Sequence, residues 1–332
     1  MTRAAAIGEC MIELSRLDSD RYQQVFAGDV YNTAVYLRRL SQPDVVVDFI
    51  TATGDDALSD QLLAASRTEG LIPVVTRIAG ASPALYIIST DDQGERSFTY
   101  YRDASPVKQL FGDGEEAVDL RGYDLIYLSA ITLQLLTPAA RGYLRSALSD
   151  ARDRGCLVAF DSNYRPGGWP GADVARSAVD DISPLVDIAL VSLADERSLR
   201  GIRDATEIID VYRAAGVAEI IVKDGSNPVT AYHRGRFDRL PVSAATYVED
   251  TTGAGDSFNG AYLAERLRGI PLEAAVRTAS RIAAEVVGVR GALIPASHMD
   301  RRRSESGYET QQSNRVGVDS GRPQALWCDQ PG

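Results

Sequence analysis

Short apolar segments alternate with longer amphipathic segments along most of this chain. The apolar segments predict strands at Ala4–Gly8, Val45–Thr51, Leu125–Ser129, Leu157–Asp161, Ile188–Ser192 and Glu219–Lys223. The amphipathic segments predict helices at Asn32–Leu40, Leu58–Glu69, Pro138–Arg154 and Ala205–Ala215. This alternation is typical of an α/β fold, a mostly parallel sheet with helices on both faces. Ligands of such sheets bind beyond the carboxyl ends of the strands, where Asp161, Ser192 and Lys223 fall.

One part of the chain departs from this alternation. Two extended runs, Ala84–Thr90 and Glu95–Arg102, are joined by the turn sequence Asp91–Gly94 and predict a β-hairpin. Together with the stretch near Met11–Phe26, the hairpin would form a small sheet that projects from the main domain.

The second hairpin strand has two distinct faces. Its period-two alternation places Phe98, Tyr100 and Arg102 on one face and Thr99 and Tyr101 on the other. We expect the first face to point at a ligand, although an irregularity at a strand end would reverse the two faces.

The last part of the chain is polar and aperiodic. From about residue 297 to residue 332 no hydrophobic period is visible, so we expect a disordered tail after a single domain over residues 1–296.

Composition excludes several classes of function. The formal net charge of −11 is offset by no basic stripe, which argues against nucleic acid or an anionic membrane as a partner. No apolar stretch approaches the roughly 18 residues of a membrane span, so we expect a cytoplasmic enzyme. Only His233 and His298 are present, and Cys10, Cys156 and Cys328 are widely spaced. Zinc sites, histidine triads and a disulfide framework are therefore disfavoured.

The most informative chemistry lies in the run Asp250–Phe258. Its two glycines leave the backbone bare, and a helix predicted from Ser257 to Arg268 would present unpaired N–H donors to an anion. A carboxylate at this end, Asp256, is a candidate general base. Read alone, the same run is also compatible with a glycine-rich loop followed by an ordinary acidic helix cap.

Two other nucleotide-binding patterns are missing. The sequence contains no Gly-x-x-x-x-Gly-Lys-Ser/Thr, which disfavours a P-loop kinase. The first strand is followed by Gly8-Glu9-Cys10 rather than by Gly-x-Gly-x-x-Gly, which disfavours a Rossmann-type dehydrogenase.

The run Asp250–Asp256 resembles the signature of the ribokinase-like sugar kinases, the PfkB family. The resemblance extends over about residues 3–296 and includes further segments in the family's order: Ile7–Leu14, Phe26–Asp29, Asn32–Tyr36, Gly94–Arg102 and Asp161–Pro166. It implies a ribokinase-like three-layer αβα sandwich. A β lid from about residues 10–27 and 84–103 would cover the sugar site.

The resemblance also implies roles for individual residues. Asp256 would be the catalytic base, and Gly253, Ala254 and Gly255 would hold the phosphates of ATP. Further nucleotide-binding residues would be Asn163, Ser192, Lys223, Gly225 and Ser280. The sugar would contact Gly28, Asn32, Tyr86, Tyr100, Arg102, Ile131 and Arg165. Mg²⁺ would be held by Asp195 through water.

Within the family, the opening Ile7–Leu14 looks like that of the kinases that act on 2-keto-3-deoxygluconate. This implies phosphorylation of the 6-hydroxyl by ATP to give 2-keto-3-deoxy-6-phosphogluconate. Two arginines, Arg102 and Arg165, suit the carboxylate of a sugar acid. The alternatives are a fructokinase or ribokinase, whose neutral sugars lack that carboxylate, and a non-catalytic sugar-acid sensor.

Two departures from the family pattern stand beside these expectations. Ser192 and Asp195 replace the Asn-x-x-Glu of many relatives, and Ala292 stands where some carry an acidic sugar contact. The sequence does not separate gluconate- from galactonate-derived substrates. It leaves the oligomeric state open, with the lid edge as a candidate surface for pairing with a second copy.

Overall fold

The computed structural model describes residues 1–90, 96–112 and 118–298. The predicted hairpin turn and nearly all of the predicted tail lie outside the described residues, as does Cys328. Cys10 and Cys156 are both buried and form no disulfide. None of the helices in the described ranges combines the length and the apolar composition that crossing a bilayer requires.

The described chain alternates strands and helices much as the sequence predicts. The strands are β1 (Thr2–Ile7), β2 (Met11–Arg16), β3 (Tyr22–Ala27), β4 (Val45–Thr53), β5 (Ile72–Arg77), β6 (Leu85–Thr90), β7 (Arg96–Tyr101), β8 (Leu125–Ser129), β9 (Leu157–Asp161), β10 (Ile188–Ser192), β11 (Glu219–Asp224), β12 (Asn227–His233) and β13 (Arg236–Leu240). The helices are α1 (Asp29–Leu40), α2 (Ala57–Thr68), α3 (Ala130–Leu135), α4 (Pro138–Arg152), α5 (Ala172–Ile182), α6 (Leu193–Arg200), α7 (Ala205–Ala214), α8 (Ala254–Leu267) and α9 (Leu272–Val286).

The larger sheet of the described chain has the strand order β13-β12-β11-β10-β9-β8-β1-β4-β5. Neighbouring strands pair in parallel from β11 to β5, whereas β12 pairs antiparallel with both β11 and β13 at the other edge. All six predicted strands belong to the parallel part. In the register, Ser129 pairs with Asp161 and Ser192 pairs with Lys223, so these strand ends share one edge of the sheet.

Helices cover both faces of this sheet, which confirms the three-layer prediction. Along β1 the side chains of Ala4 and Ala6 enter the core shared with α1, α2, α8 and α9. The side chains of Ala5 and Ile7 enter the opposite core, against α3 to α7. Alternation with a period of two therefore gives a strand that is apolar on both faces.

The lid is a separate sheet with the order β3-β2-β6-β7. The β6–β7 hairpin is antiparallel, as predicted, and β6 runs parallel to β2. The ring of Tyr100 lies 5.6 Å from that of Tyr86 and 6.3 Å from that of Phe98, measured between centroids. Phe98 and Tyr100 therefore share one face of β7, in line with the predicted alternation.

Helix α8 begins earlier than the sequence indicated. It was expected from Ser257, but its first residue is Ala254, because Gly253 adopts a left-handed φ of 76° and turns the chain directly into the helix. Gly253 is thus the N-cap, and Ala254 and Gly255 lie in the first turn of the helix. The first turn of a helix tolerates such residues, since its N–H groups have no partner within the helix.

Helices α1 and α8 pack unusually closely at Gly260. A Cβ at this position would lie 2.6 Å from Cβ of Tyr36 and 2.7 Å from the carbonyl oxygen of Thr33. Near the helix starts, Asn32 contacts Asp256. The contacts advance in step along both helices, so the helices run in the same direction and their first turns lie side by side.

The close contact predicts opposite effects of two glycine replacements. Gly260→Ala forces a methyl group into backbone and should lower the free energy of unfolding by about 1–3 kcal/mol. Gly142→Ala, in α4 with open space around its Cβ position, should raise it by roughly 0.5–1 kcal/mol because glycine is unfavourable inside a helix. Denaturant titration of both variants checks this. Equal effects would contradict the packing argument.

Candidate functional site

The loop that precedes α8 is fixed in shape by Gly253 and Asp250. A Cβ on Gly253 would lie 2.6 Å from the carbonyl oxygen of Ala292, so both its φ and its surroundings require glycine. The carboxylate of Asp250 accepts hydrogen bonds from the N–H groups of Thr252 at 3.0 Å and Gly291 at 2.6 Å. The loop is thereby anchored to the segment that follows α9.

The first turn of α8 presents donors that suit an anion. Within the described chain, the N–H groups of Gly255 and Asp256 make no hydrogen bond, whereas that of Ala254 donates to the carbonyl of Thr251 at 3.3 Å. A Cβ on Gly255 would meet only the Nζ of Lys223, at 3.9 Å. A helix N-terminus with free N–H groups and a nearby ammonium fits a phosphate group.

Asp256 lies in this turn and is held by α1. The Nδ2 of Asn32 donates to its Oδ2 at 2.8 Å. Burial raises the pKa of Asp256 to about 8; the charges of Asp29 and Asp161 add to the rise, while Asn32 and Lys223 oppose it. A carboxyl group that exchanges its proton near neutral pH is suited to general base catalysis.

A polar network beneath Asp256 holds the lysine. Asn259, on the same face of α8, donates from Nδ2 to Oδ2 of Asp161 at 2.7 Å and accepts from Nζ of Lys223 at 2.8 Å. The same ammonium lies 3.5 Å from Oδ1 of Asp161. These contacts join the carboxyl ends of β9 and β11 to α8 and fix the Lys223 charge beside Gly255.

Asp29 joins the start of α1 to the ends of two strands. Its Oδ2 accepts from Oγ of Ser129 at 2.5 Å and from Nδ2 of Asn163 at 2.9 Å. Asn163, which was predicted to lie near phosphates, therefore contacts a carboxylate next to Asp256.

The lid contributes aromatic and charged groups. Tyr86 is buried and its hydroxyl donates to Glu13, while Tyr100 beside it is 53% exposed. Burial raises the pKa of Tyr100, and the charges of Arg102 and Arg165 oppose the rise. Both predicted sugar-acid arginines thus lie within electrostatic reach of Tyr100.

Each of these arginines already has an acidic partner within the chain. Nε of Arg102 donates to Oε2 of Glu9 at 2.6 Å, and the Arg102 side chain is 15% exposed. Nη1 of Arg165 donates to Oδ1 of Asp195 at 3.1 Å, and that side chain is 55% exposed. Arg102 is therefore held within the protein, whereas Arg165 is partly free to reorient.

Ser192 and Asp195 form a helix cap. The Oγ of Ser192 accepts from the N–H of Asp195 at 3.0 Å, so Ser192 is the N-cap of α6. Burial and the nearby Asp161 raise the pKa of Asp195. Among the described residues no group of three or more metal-ligating side chains occurs. A single carboxylate such as Asp195 is a donor that Mg²⁺ accepts where phosphate oxygens and water supply its other ligands.

Two predicted sugar contacts occupy structural positions beside the cleft. Gly28 is the N-cap of α1, and a Cβ there would lie 2.4 Å from the carbonyl oxygen of Glu9. Ile131 is buried in α3, directly after β8.

The remaining predicted nucleotide contacts have local explanations. Gly225 has a φ of 57° in the turn between β11 and β12, which by itself favours glycine, and its Cβ position meets no atom within 4 Å. Ser280 is buried in α9, where its Oγ has no hydrogen-bond partner in the described part of the chain.

Sequence reasoning assigned no individual role to several residues that shape this site: Glu9, Glu13, Asp29, Asp250 and Asn259. Asn259 carried a usable signal, because it is a polar residue inside the apolar stretch of α8, three positions after Asp256. Glu9 carried none, because its partner Arg102 is 93 residues away in the chain.

The chain is similar to known carbohydrate kinases over most of its length. The model of the pfkB family carbohydrate kinases matches residues 1–299. A 2-dehydro-3-deoxygluconokinase of Dickeya dadantii (strain 3937) is 38% identical over 304 residues, which cover 89% of this chain and 97% of that relative.

Solved structures show the same fold. A 2-dehydro-3-deoxygluconokinase from Thermotoga maritima superposes with a TM-score of 0.76 at 20% identity and covers 91% of this chain and 98% of its own. A candidate ribokinase II from E. coli in complex with ATP and Mg²⁺ gives 0.78 at 19% identity, with 92% and 100% covered. Because the family model matches residues 1–299, the chain belongs to the pfkB family of carbohydrate kinases.

Proposed function

We propose that this chain transfers the γ-phosphoryl group of ATP to the 6-hydroxyl of 2-dehydro-3-deoxygluconate, also called 2-keto-3-deoxygluconate. The observation that carries the proposal is the 38% identity to a 2-dehydro-3-deoxygluconokinase over 97% of that relative's length. The cytoplasmic location expected from the sequence belongs to the same proposal.

The residues around α8 support phosphoryl transfer. Bound ATP with Mg²⁺ would supply the phosphoryl group, and an ATP–Mg²⁺ complex is known for a protein of the same fold. Asp256 would accept the proton of the sugar hydroxyl. The free N–H groups of Gly255 and Asp256, together with the Lys223 ammonium, would stabilise negative charge on the transferred group.

The residues around the lid support a sugar acid. Arg102 and Arg165 both lie near the exposed ring of Tyr100, at the side of the cleft formed by the lid. A guanidinium group binds a carboxylate through paired hydrogen bonds, so this side suits the acid end of the substrate. The hydroxyl at the other end of the sugar would then face Asp256.

A substrate panel with arginine variants tests this arrangement. Wild-type enzyme should prefer 2-dehydro-3-deoxygluconate to fructose and ribose in a coupled assay of ADP release. Replacing Arg102 or Arg165 with Gln should lower kcat/KM for the sugar acid about 10- to 150-fold, because a charge-assisted hydrogen bond is lost.

Arg121→Gln is the control, since Arg121 is exposed and pairs only with neighbouring Asp119 in the described chain. Its kcat/KM should match that of the wild type. Equal relative losses on acid and neutral sugars would show that Arg102 and Arg165 are structural. A wild-type preference for a neutral sugar would contradict the proposed substrate.

The pH dependence of kcat/KM should show the effect of the neighbouring acids on Asp256. Asp256 acts as a base only when ionised, so kcat/KM should increase with pH up to about 8, the pKa to which burial and neighbouring charges raise this group. Asp29→Asn removes one of those charges while its amide oxygen can still accept from Ser129 and Asn163. The acid limb should therefore move to lower pH.

Exposed Asp210, on α7, provides the control for this measurement. Asp210→Asn should leave the whole profile in place. If the limb of Asp29→Asn coincided with that of the wild type, Asp29 would not influence the catalytic proton acceptor.

A further inference from the structure

Glu9 is a buried carboxylate with two partners at the base of the lid. Only 2% of the residue is exposed. Its Oε2 accepts from Nε of Arg102 at 2.6 Å, and its Oε1 accepts from Oγ of Ser105. Both oxygens of the carboxylate are therefore used within the protein.

The position of Glu9 in the chain gives these contacts a wider effect. The described chain passes between the main domain and the lid four times, and Glu9 lies in the first passage, between β1 and β2. Arg102 and Ser105 lie in the last passage, after β7. Gly28 lies in the second, where a Cβ would come within 2.4 Å of the Glu9 carbonyl oxygen. Three of the four passages thus meet at one residue.

These contacts connect the two ends of the cleft. Gly28 begins α1, and its carbonyl oxygen accepts from the N–H of Asn32 at 2.7 Å. Asn32 in turn holds Asp256. A continuous series of contacts therefore leads from Arg102, through Glu9, Gly28 and Asn32, to the proposed base.

The carboxylate of Glu9 orients the Arg102 side chain, and this orientation rather than its charge explains its place beside Arg102. A carboxylate beside a guanidinium weakens the attraction of that guanidinium for an anionic substrate. It also fixes the plane of the guanidinium through Nε. In the described chain the two terminal nitrogens of Arg102 make no hydrogen bond and remain available for a ligand.

We propose that Glu9 is a positioning residue that sets the distance and orientation of Arg102 relative to Asp256, and so selects sugar acids whose carboxylate and terminal hydroxyl match that span. The inference rests on the proposed function, since it takes Arg102 as the partner of the substrate carboxylate. It adds a residue that contacts no substrate and acts through Arg102.

Variants of Glu9 separate position from charge. Glu9→Ala removes both contacts and should lower kcat/KM for 2-dehydro-3-deoxygluconate roughly 10- to 100-fold, because a displaced binding group misplaces the reacting atoms. Glu9→Gln should retain most activity, since its amide can accept from Arg102 and donate to Ser105. Glu9→Asp keeps the charge but is one methylene shorter, so it should resemble Glu9→Ala.

Glu219 provides a matched control at the other end of the sheet. It is a buried carboxylate that accepts from the Tyr262 hydroxyl at 2.5 Å and from Nη2 of Arg266 at 2.7 Å. Glu219→Gln and Glu219→Asp should lower Tm at least as much as the corresponding Glu9 variants, because Glu219 also accepts from Nε of Arg266, while leaving kcat/KM near the wild-type value. This comparison stays informative even if Glu9→Ala does not fold.

A double variant tests whether Glu9 acts through Arg102. Glu9→Asp should add little to the loss already caused by Arg102→Gln, because both changes remove the same function. Multiplying losses would overturn the inference, and so would a Glu9→Asp enzyme that is more active than Glu9→Gln. A wild-type enzyme that prefers neutral sugars would contradict the proposed function and this inference together. An acid-specific wild type with a fully active Glu9→Asp variant would contradict this inference alone.

Discussion

The close packing of α1 against α8 is the constraint on which the site depends. Gly260 lets the two helices approach until a Cβ would overlap Tyr36, and their first turns then lie side by side. That proximity places Asn32 of α1 against Asp256 of α8. A side chain at position 260 would separate the helices and thereby move the candidate base away from the residues that begin α1, which follow lid strand β3 directly.

The same geometry brings several acids together around Asp256. Burial raises the pKa of Asp256, and the charges of Asp29 and Asp161 raise it further. Lys223, which lies beside Gly255 in the first turn of α8, opposes the rise. This environment destabilises the ionised form of a carboxyl group and so increases its affinity for a proton. The cationic groups proposed for phosphate and for the sugar carboxylate belong to different parts of the fold, Lys223 to β11 and Arg102 to the chain that follows lid strand β7.

The sequence predicted the strands and the lid hairpin, because these elements depend on patterns among neighbouring residues. Periodic patterns gave the central strands, which differ from the observed ones by at most a few residues at their ends, and the lid hairpin. The start of α8 was misplaced, because no local pattern shows that Gly253 adopts the left-handed conformation that turns the chain into the helix. Glu9 escaped notice because its pairing with Arg102 joins distant parts of the chain, and no local pattern records such a pairing. The roles assigned to individual site residues stay predictions.

Replacement of Asp256 by Asn tests the central claim most directly, through kcat and Tm measured together. The fold should survive, and loss of the proton acceptor should lower kcat roughly 10²- to 10⁴-fold. The pKa of Asp256 is near 3.8 in the unfolded chain and about 8 in the folded protein. Between these two values of pH, ionisation of Asp256 therefore lowers the free energy of unfolding as pH rises. Asp256→Asn should therefore have a higher Tm than the wild type at pH 8. A variant with near wild-type kcat, or with a Tm far below the wild type, would contradict the account.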